Sequence, residues 1–284
     1  MVVVAPFVTT YASHTPYITV DEWRAAPTAI DISSLLPDGN RTQQDQVVRD
    51  CIERASSWID DLCQQVLAAS EDIQSGRFLV NRFHQVKVPA MAKPVLEVSA
   101  VSVGGSPSTL LPLDTLDDVE ISPYGVVTIP VNKSGSGQRA LVRMTFVNGY
   151  PNTVTTAANA AGDSTLVLDN AVGVYPGSPL TVYDVKAAGT ENIVVASTYT
   201  GGTTIPLVDS LRFAHAAGVS VSSLPARVKQ ACILLTSALI QTRGSDAIVL
   251  DSMDTPAAKS NAYGANEDAE RLARTLLGSL RRTS

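Results

Sequence analysis

Between residues 40 and 70 the apolar positions recur every three or four residues. Val48, Ile52, Ala55, Ile59, Leu62 and Val66 fall on one stripe, the mark of a long amphipathic helix with one buried face. Thr42 is placed to cap it, with Asp45 three residues on in the capping-box position. From 77 to 150 the period drops to two. "RFLVNRFHQVKVP", "PVLEVSAVSVGG", "GVVTIPV" and "RALVRMTFVNGY" alternate, are rich in β-branched residues and are separated by Gly, Pro and Ser. They predict a small antiparallel sheet with the long helix laid on it. Residues 152–223 read as five short strands, "STLVLDN", "PLTVYDV", "ENIVVASTYT", "TTIPLVDS" and "GVSVSS", spaced by Gly-rich turns. That is the pattern of a compact all-β barrel or sandwich.

A helix returns in "SSLPARVKQACILLTSALIQTRG", 222–244. Pro225 sits in its first turn, where a missing N–H costs nothing, and Gly244 stands just past the expected end. Val228, Ala231, Cys232, Leu235, Ala238 and Leu239 make one broad stripe. Ile233 and Ile240, seven residues apart, make a second, and Leu234 points to yet another side. A helix on one sheet needs only the first stripe. The second calls for the 42–68 helix, a neighbouring subunit, or both, which makes Ile233, Leu234 and Ile240 the candidate subunit-packing residues.

The two ends differ from the body. Residues 1–40 are punctuated by Pro6, Pro16, Pro27 and Pro37 and read as an arm; within "YITVDEWRAA", Thr19 or Asp21 can cap a single helical turn. Residues 245–284 begin loosely and end in an amphipathic helix over 266–282. Asn266 is its candidate cap, and Ala269, Leu272, Ala273, Leu276 and Leu280 form its apolar face. Glu267, Asp268 and Glu270 at its start and Arg281 and Arg282 at its end suit the helix dipole. An apolar helix on a long tether reads as a docking element for a partner, although a swapped or folded-back helix has the same pattern. Its candidate docking residues are Leu272, Leu276, Leu277, Leu280, Arg281 and Arg282.

Composition narrows the function classes. The 284 residues carry a net charge of −6 and only 17% charged side chains. An acidic chain does not grip nucleic acid through a basic surface, though it can pass DNA through a lumen. Lys and Arg nearly vanish from 152–223, where only Lys186 and Arg212 remain, a composition shift that marks a separate module. The longest apolar run, within 231–240, is about half of what a membrane span needs, and "MVVVAPFVTTYASH" lacks the basic n-region of a signal peptide. Cys51, Cys63 and Cys232 are far apart, without metal spacing, and read as buried free thiols.

The sequence offers no catalytic constellation and no cofactor or metal motif: no GxSxG elbow, no phosphate-cradling loop, no HExxH. His14, His84 and His215 are scattered. His84 falls on a predicted strand and His215 near a turn of the β module, where it is expected to make a turn hydrogen bond. Asp60–Asp61 and Asp117–Asp118 are sequence neighbours, which point apart on either kind of element.

The order of these elements is similar to a known family. An arm with "YITVDEW" leads to a helix with "VVRDCIERASSWIDDLC"; "KPVLEVSAVSVGG" and a strand ending in "FVNGYPN" follow, and "LPARVKQACILLTSALIQTRG" closes the series. It resembles the head–tail connector (adaptor) proteins of long-tailed bacteriophages over roughly 41–150 and 224–244. The most specific parts are Ala55, Ile59, Asp60 and Cys63 at the end of the first helix, and "LPxxVKQA…RG". In that family the strand ending in "GY" runs quickly into the proline-led helix; here Tyr150 and Pro225 are separated by the whole β module.

The resemblance implies an α+β chain with a discontinuous connector core, 41–151 plus 224–244. Around it stand the arm 1–40, an inserted β domain 152–223, and a linker with docking helix at 245–284. It implies a dodecameric ring in the virion neck, made in the host cytoplasm. The expected partners are the portal protein and a tail terminator, tail-completion or second connector protein. DNA would pass through the lumen without specific binding, and no enzymatic activity or membrane is involved. A second reading makes 152–223 a recognition surface of a virion or tail protein, although the module holds only Tyr175, Tyr183, Tyr199 and Phe213 as aromatics.

Overall fold

The long amphipathic stripe forms its helix, and every member of it up to Leu62 is buried, but not against a sheet. In a computed structural model, residues 7–9, 15–28, 30, 32, 39–131, 137–186, 189–249 and 269–282 are described. They hold an α+β fold with three separate hydrophobic clusters.

The first cluster is helical. Helix α1 (Val20–Ala25) is capped by Thr19, whose hydroxyl accepts from the Glu22 N–H, while the Glu22 carboxylate accepts from the Thr19 N–H. Helix α2 (Arg41–Cys63) is capped by Asn40, not by Thr42. The Asn40 side chain accepts from the Gln43 N–H and Gln43 accepts in return from the Asn40 N–H, both at 3.0 Å. A left-handed Gln64 ends the helix. Helix α3 (Ala226–Val249) runs on through Gly244, so that glycine does not stop it. Residues 269–277 form a fourth helix, α4. Val48, Ile52, Ala55 and Ile59 of α2 meet Val228, Ala231, Cys232 and Leu235 of α3 in one core. Tyr17, Ile18 and Trp23, from the stretch read as an arm, are 0–3% exposed and belong to it as well.

The second cluster lies between two antiparallel sheets. The larger has the order β1-β2-β8-β4-β5: β1 (Phe7–Thr9), β2 (Ser70–Leu79), β8 (Arg139–Asn148), β4 (Val95–Gly104) and β5 (Leu111–Pro112). The smaller is β3 (Gln85–Pro89), β7 (Val126–Pro130) and β6 (Glu120–Ile121), in that order. Val86, Val88, Val127 and Ile129 of the small sheet fill the inner face of the large one, against Val142, Met144 and Phe146. The sheet therefore already has its cover. The expected placement of α2 on it is corrected: the helix is covered by α3 instead. Gly149 joins the two clusters. Its φ of +90° and the 2.6 Å that would separate a Cβ there from the Ala68 carbonyl oxygen require glycine. The turn lets the Tyr150 N–H donate to Leu67 at 2.8 Å.

The third cluster is the β module. All five expected strands form: β10 (Thr165–Val167), β11 (Pro179–Tyr183), β12 (Glu191–Val194), β13 (Thr204–Pro206) and β14 (Ser220–Ser222). A sixth, β9 (Asn152–Val154), joins them. They make a four-stranded sheet, β12-β11-β14-β9, and the pair β10-β13. The two enclose Leu166, Leu180, Val182, Ile193, Ile205 and Val221. Single bridges such as Thr155↔Leu168 and Val195↔Leu207 tie them together, giving two open sheets on one core rather than a closed barrel. The first and last strands are neighbours, with Ser222 opposite Asn152, and the Ser223 N–H donates to the Pro151 carbonyl at 2.9 Å. The chain thus leaves at Tyr150 and returns at Leu224 side by side.

Candidate functional site

Helix α3 is apolar on more sides than α2 covers, and the structure accounts for most of the excess. Ile240, at 1% exposure, sits within the helical core. The N-terminal segment crosses the same helix, where the Trp23 indole N–H donates to the Ser237 hydroxyl at 3.1 Å. Ile233 and Leu234 are only partly buried. With Ala26, Pro27, Ile30 and Leu272 they line an open groove of about 730 Å³. The three residues read as a subunit-packing set are therefore divided: Ile240 is consumed inside the chain, while Ile233 and Leu234 face the groove.

The C-terminal docking residues are divided in the same way. Helix α4 is folded back onto its own subunit. Leu277 and Ala273 are fully buried in the helical core, Leu276 and Leu280 pack on it, and Leu272 stays 48% exposed at the groove. The Gln65 amide donates to the Leu280 carbonyl at 2.9 Å and the Arg227 guanidinium to the Ser279 hydroxyl at 2.6 Å. The Arg282 N–H donates to the Cys63 carbonyl at 2.9 Å, and Arg281 is exposed. The Arg274 guanidinium lies 5.4 Å from the Trp58 ring centroid. Asn266 and the tether fall outside the described residues.

At the floor of the groove lies a polar knot that sequence reasoning missed. Lys229, 6% exposed, donates to the Glu22 carboxylate at 2.7 Å, the Tyr17 carbonyl at 3.2 Å and the Ser220 hydroxyl at 3.2 Å. Its ammonium stands 4.0 Å from the Tyr183 ring centroid. One side chain of α3 thereby joins α1, the segment before it, and strands β11 and β14 of the β module. A buried ammonium needs such a complete set of partners. A signal was present: a lone lysine inside an apolar stripe, between Val228 and Ala231.

Two further buried polar groups stabilise the body. The Tyr17 phenol donates to the Asp60 carboxylate and accepts from the Leu67 N–H; burial, then the Asp60 charge, pushes that phenol well above its usual range. In the β module His215 is not the turn residue expected from sequence. It is 2% exposed, with Nδ1 3.1 Å from Asp184 and Nε2 2.8 Å from Glu191. Burial pushes the Glu191 carboxyl upward, but the Arg212 N–H, the His215 ring and the Phe213 N–H outweigh it and hold the group below its ordinary range. Both ring nitrogens are engaged by carboxylates, which leaves neither for a substrate. His84 is not on a strand: it has a φ of +58° in the exposed turn between β2 and β3.

Among the described residues no group of His, Cys, Asp and Glu is arranged to hold a metal ion. No helix there is long and apolar enough to cross a membrane. Of the aromatic side chains of the β module, Tyr199 is buried with its hydroxyl on the Gly202 carbonyl, Tyr183 lies under Lys229, Tyr175 is half-buried and Phe213 is exposed. The chemistry of these places is that of joints and packing surfaces.

No family model matches the chain and no curated protein matches it. Among solved structures it is similar to a chain from the neck of an empty GTA particle computed with C6 symmetry. The match covers 94% of both chains, at 12% identity and a TM-score of 0.33, a likeness too loose to bear on function.

Proposed function

We propose that this chain is a structural head-to-tail adaptor of a phage-like virion, forming a ring, dodecameric by the family resemblance, between the portal and the tail, with DNA passing through its lumen. The observation that carries the reading is the pairing of α2 with α3. The two stretches that bear the connector-like pattern, far apart in the chain, pack on one another through the residues of that pattern, Ala55 and Ile59 against Ala231 and Cys232. The β module between them leaves and rejoins at adjacent points, as an insertion into such a core requires. Domain limits of 41–151 plus 224–244 for the core and 152–223 for the insertion follow from this reading, with 15–28 and α4 as additions to the core.

The groove beside Ile233 and Leu234 serves as the seat of a neighbouring subunit, and exposed Leu272 with Arg281 as the part of the C-terminal segment left to contact the portal. The test is negative-stain microscopy of the full chain, alone and with the portal protein of the same particle. Wild type is expected to appear as rings seated on the portal, and Ile233→Asp/Leu234→Asp as folded protein that seats poorly. A wild type that never joins the portal overturns the proposal.

A further inference from the structure

The sheet subdomain carries a basic patch and an acidic patch, neither with an ion-pair partner among the described residues. Arg77 on β2 and Arg139 and Arg143 on β8 are all exposed. Arg77 stands opposite Leu141 in the ladder, so the other two arginines are its diagonal neighbours on one face, at about 7–8 Å. That face is turned away from the core, since the alternate residues Val142 and Met144 are the buried ones. Its carboxylates, Glu71 and Glu97, are both opposite Val147. That is four residues from Arg143, about 13 Å along the strand. Neither Arg139 nor Arg143 has an ion-pair partner among the described residues.

The second patch follows β5 at the sheet's edge. Asp114, Asp117 and Asp118 are exposed and likewise have no ion-pair partner among the described residues, while Leu113, Leu116 and Val119 between them anchor the loop on the sheet core. No lysine or arginine occurs between Lys93 and Lys133, so the loop itself supplies no cation to neutralise it. Like charges gathered this way repel, and the arrangement makes sense where each patch meets its opposite.

We infer that the arginine face of one copy of this chain docks on the Asp114–Asp118 loop of the next. A second copy is the occupant that the charges favour: each chain supplies both signs, as two separate patches of one sheet subdomain, and a contact between two different patches propagates from copy to copy and makes a ring where the rotation closes. DNA phosphate would use the arginines alone and leave the acidic loop unexplained. The inference rests on the adaptor reading and specifies how its ring is held.

The experiment is charge reversal in the full chain, with assembly read by sedimentation velocity and negative-stain microscopy and folding checked by circular dichroism. R139E/R143E and D117R/D118R are each expected to weaken ring formation by about tenfold or more. Combining all four substitutions in one chain, or mixing the two variants in equal amounts, restores it, because each interface again joins opposite signs. Should a reversal disturb folding, R139Q/R143Q and D117N/D118N keep the side-chain size and are expected to weaken assembly less. Rings that form equally well in wild type and all variants overturn this inference and leave the adaptor reading standing; in that case loss of DNA retention in R139E/R143E would assign the arginines to nucleic acid. A wild type that stays monomeric, alone and with the portal, overturns both.

Discussion

Lys229→Met isolates the contribution of the polar knot. Methionine keeps the length and apolar body of the side chain, so packing against the Tyr183 ring survives while the charge is lost. The Glu22 carboxylate, 6% exposed as a side chain, is left facing an apolar group, and the Tyr17 carbonyl and Ser220 hydroxyl lose a donor. Breaking a buried pair by removing one partner costs about 3–5 kcal/mol. Removing both, as Lys229→Met/Glu22→Leu, is expected to cost less than either single change, because no uncompensated charge remains. Trp23 reports on the site: it follows Glu22 directly, is 3% exposed and donates to Ser237. Guanidinium unfolding followed by tryptophan fluorescence gives the three free energies of a double-mutant cycle. A loss below about 1 kcal/mol in Lys229→Met, or a double variant that loses the sum of the singles, refutes the reasoning.

Three further outcomes are expected. Leu277→Ala is expected to destabilise the body by about 2–5 kcal/mol in calorimetry, and truncation after Gly264 to lower the melting temperature, since α4 fills the subunit's own core; an unchanged melt in both would free α4 for a partner. Because Glu191 is held below its ordinary carboxylate range, its contribution is fully present above that range and lost as pH falls through the depressed value. Glu191→Gln should therefore cost stability at neutral pH and little in strong acid, and a pH-independent cost would contradict this. Burial pushes the Cys63 and Cys232 thiols up to about 12, so at about pH 8 both should resist iodoacetamide in the native protein and react only on unfolding; rapid native labelling would place them at the surface.

Much of the fold was legible in the sequence, and the failures share a cause. Periodicity reports that a face is buried, not what buries it. The stripe of Val48, Ile52, Ala55 and Ile59 was read as a sheet-facing surface because strands follow it. The residues that fill the sheet, Val86, Val88, Val127 and Ile129, lie on short strands whose pairing only the fold reveals. The second side of α3 raised the right question, yet its answer lay partly in Trp23 and the Pro-punctuated N-terminus, where regular pattern is weak. Gly244 was read as a helix stop, but glycine only disfavours a helix interior by about 1 kcal/mol, which packing overrides. The polar joints were the least legible, because Lys229–Glu22 and His215–Glu191 pair residues from separate segments and neither spacing nor composition places them together. The five strands of the β module, by contrast, were marked by alternation and glycine turns and all formed.

The central claim, that this chain is a ring-forming structural component of a virion neck, is tested most directly by the mass of its assembly. Native mass spectrometry of the full chain mixed with its portal should give a closed oligomer of one integer stoichiometry bound to the portal. A single species with the mass of one chain, unchanged by the portal across concentration, would contradict it.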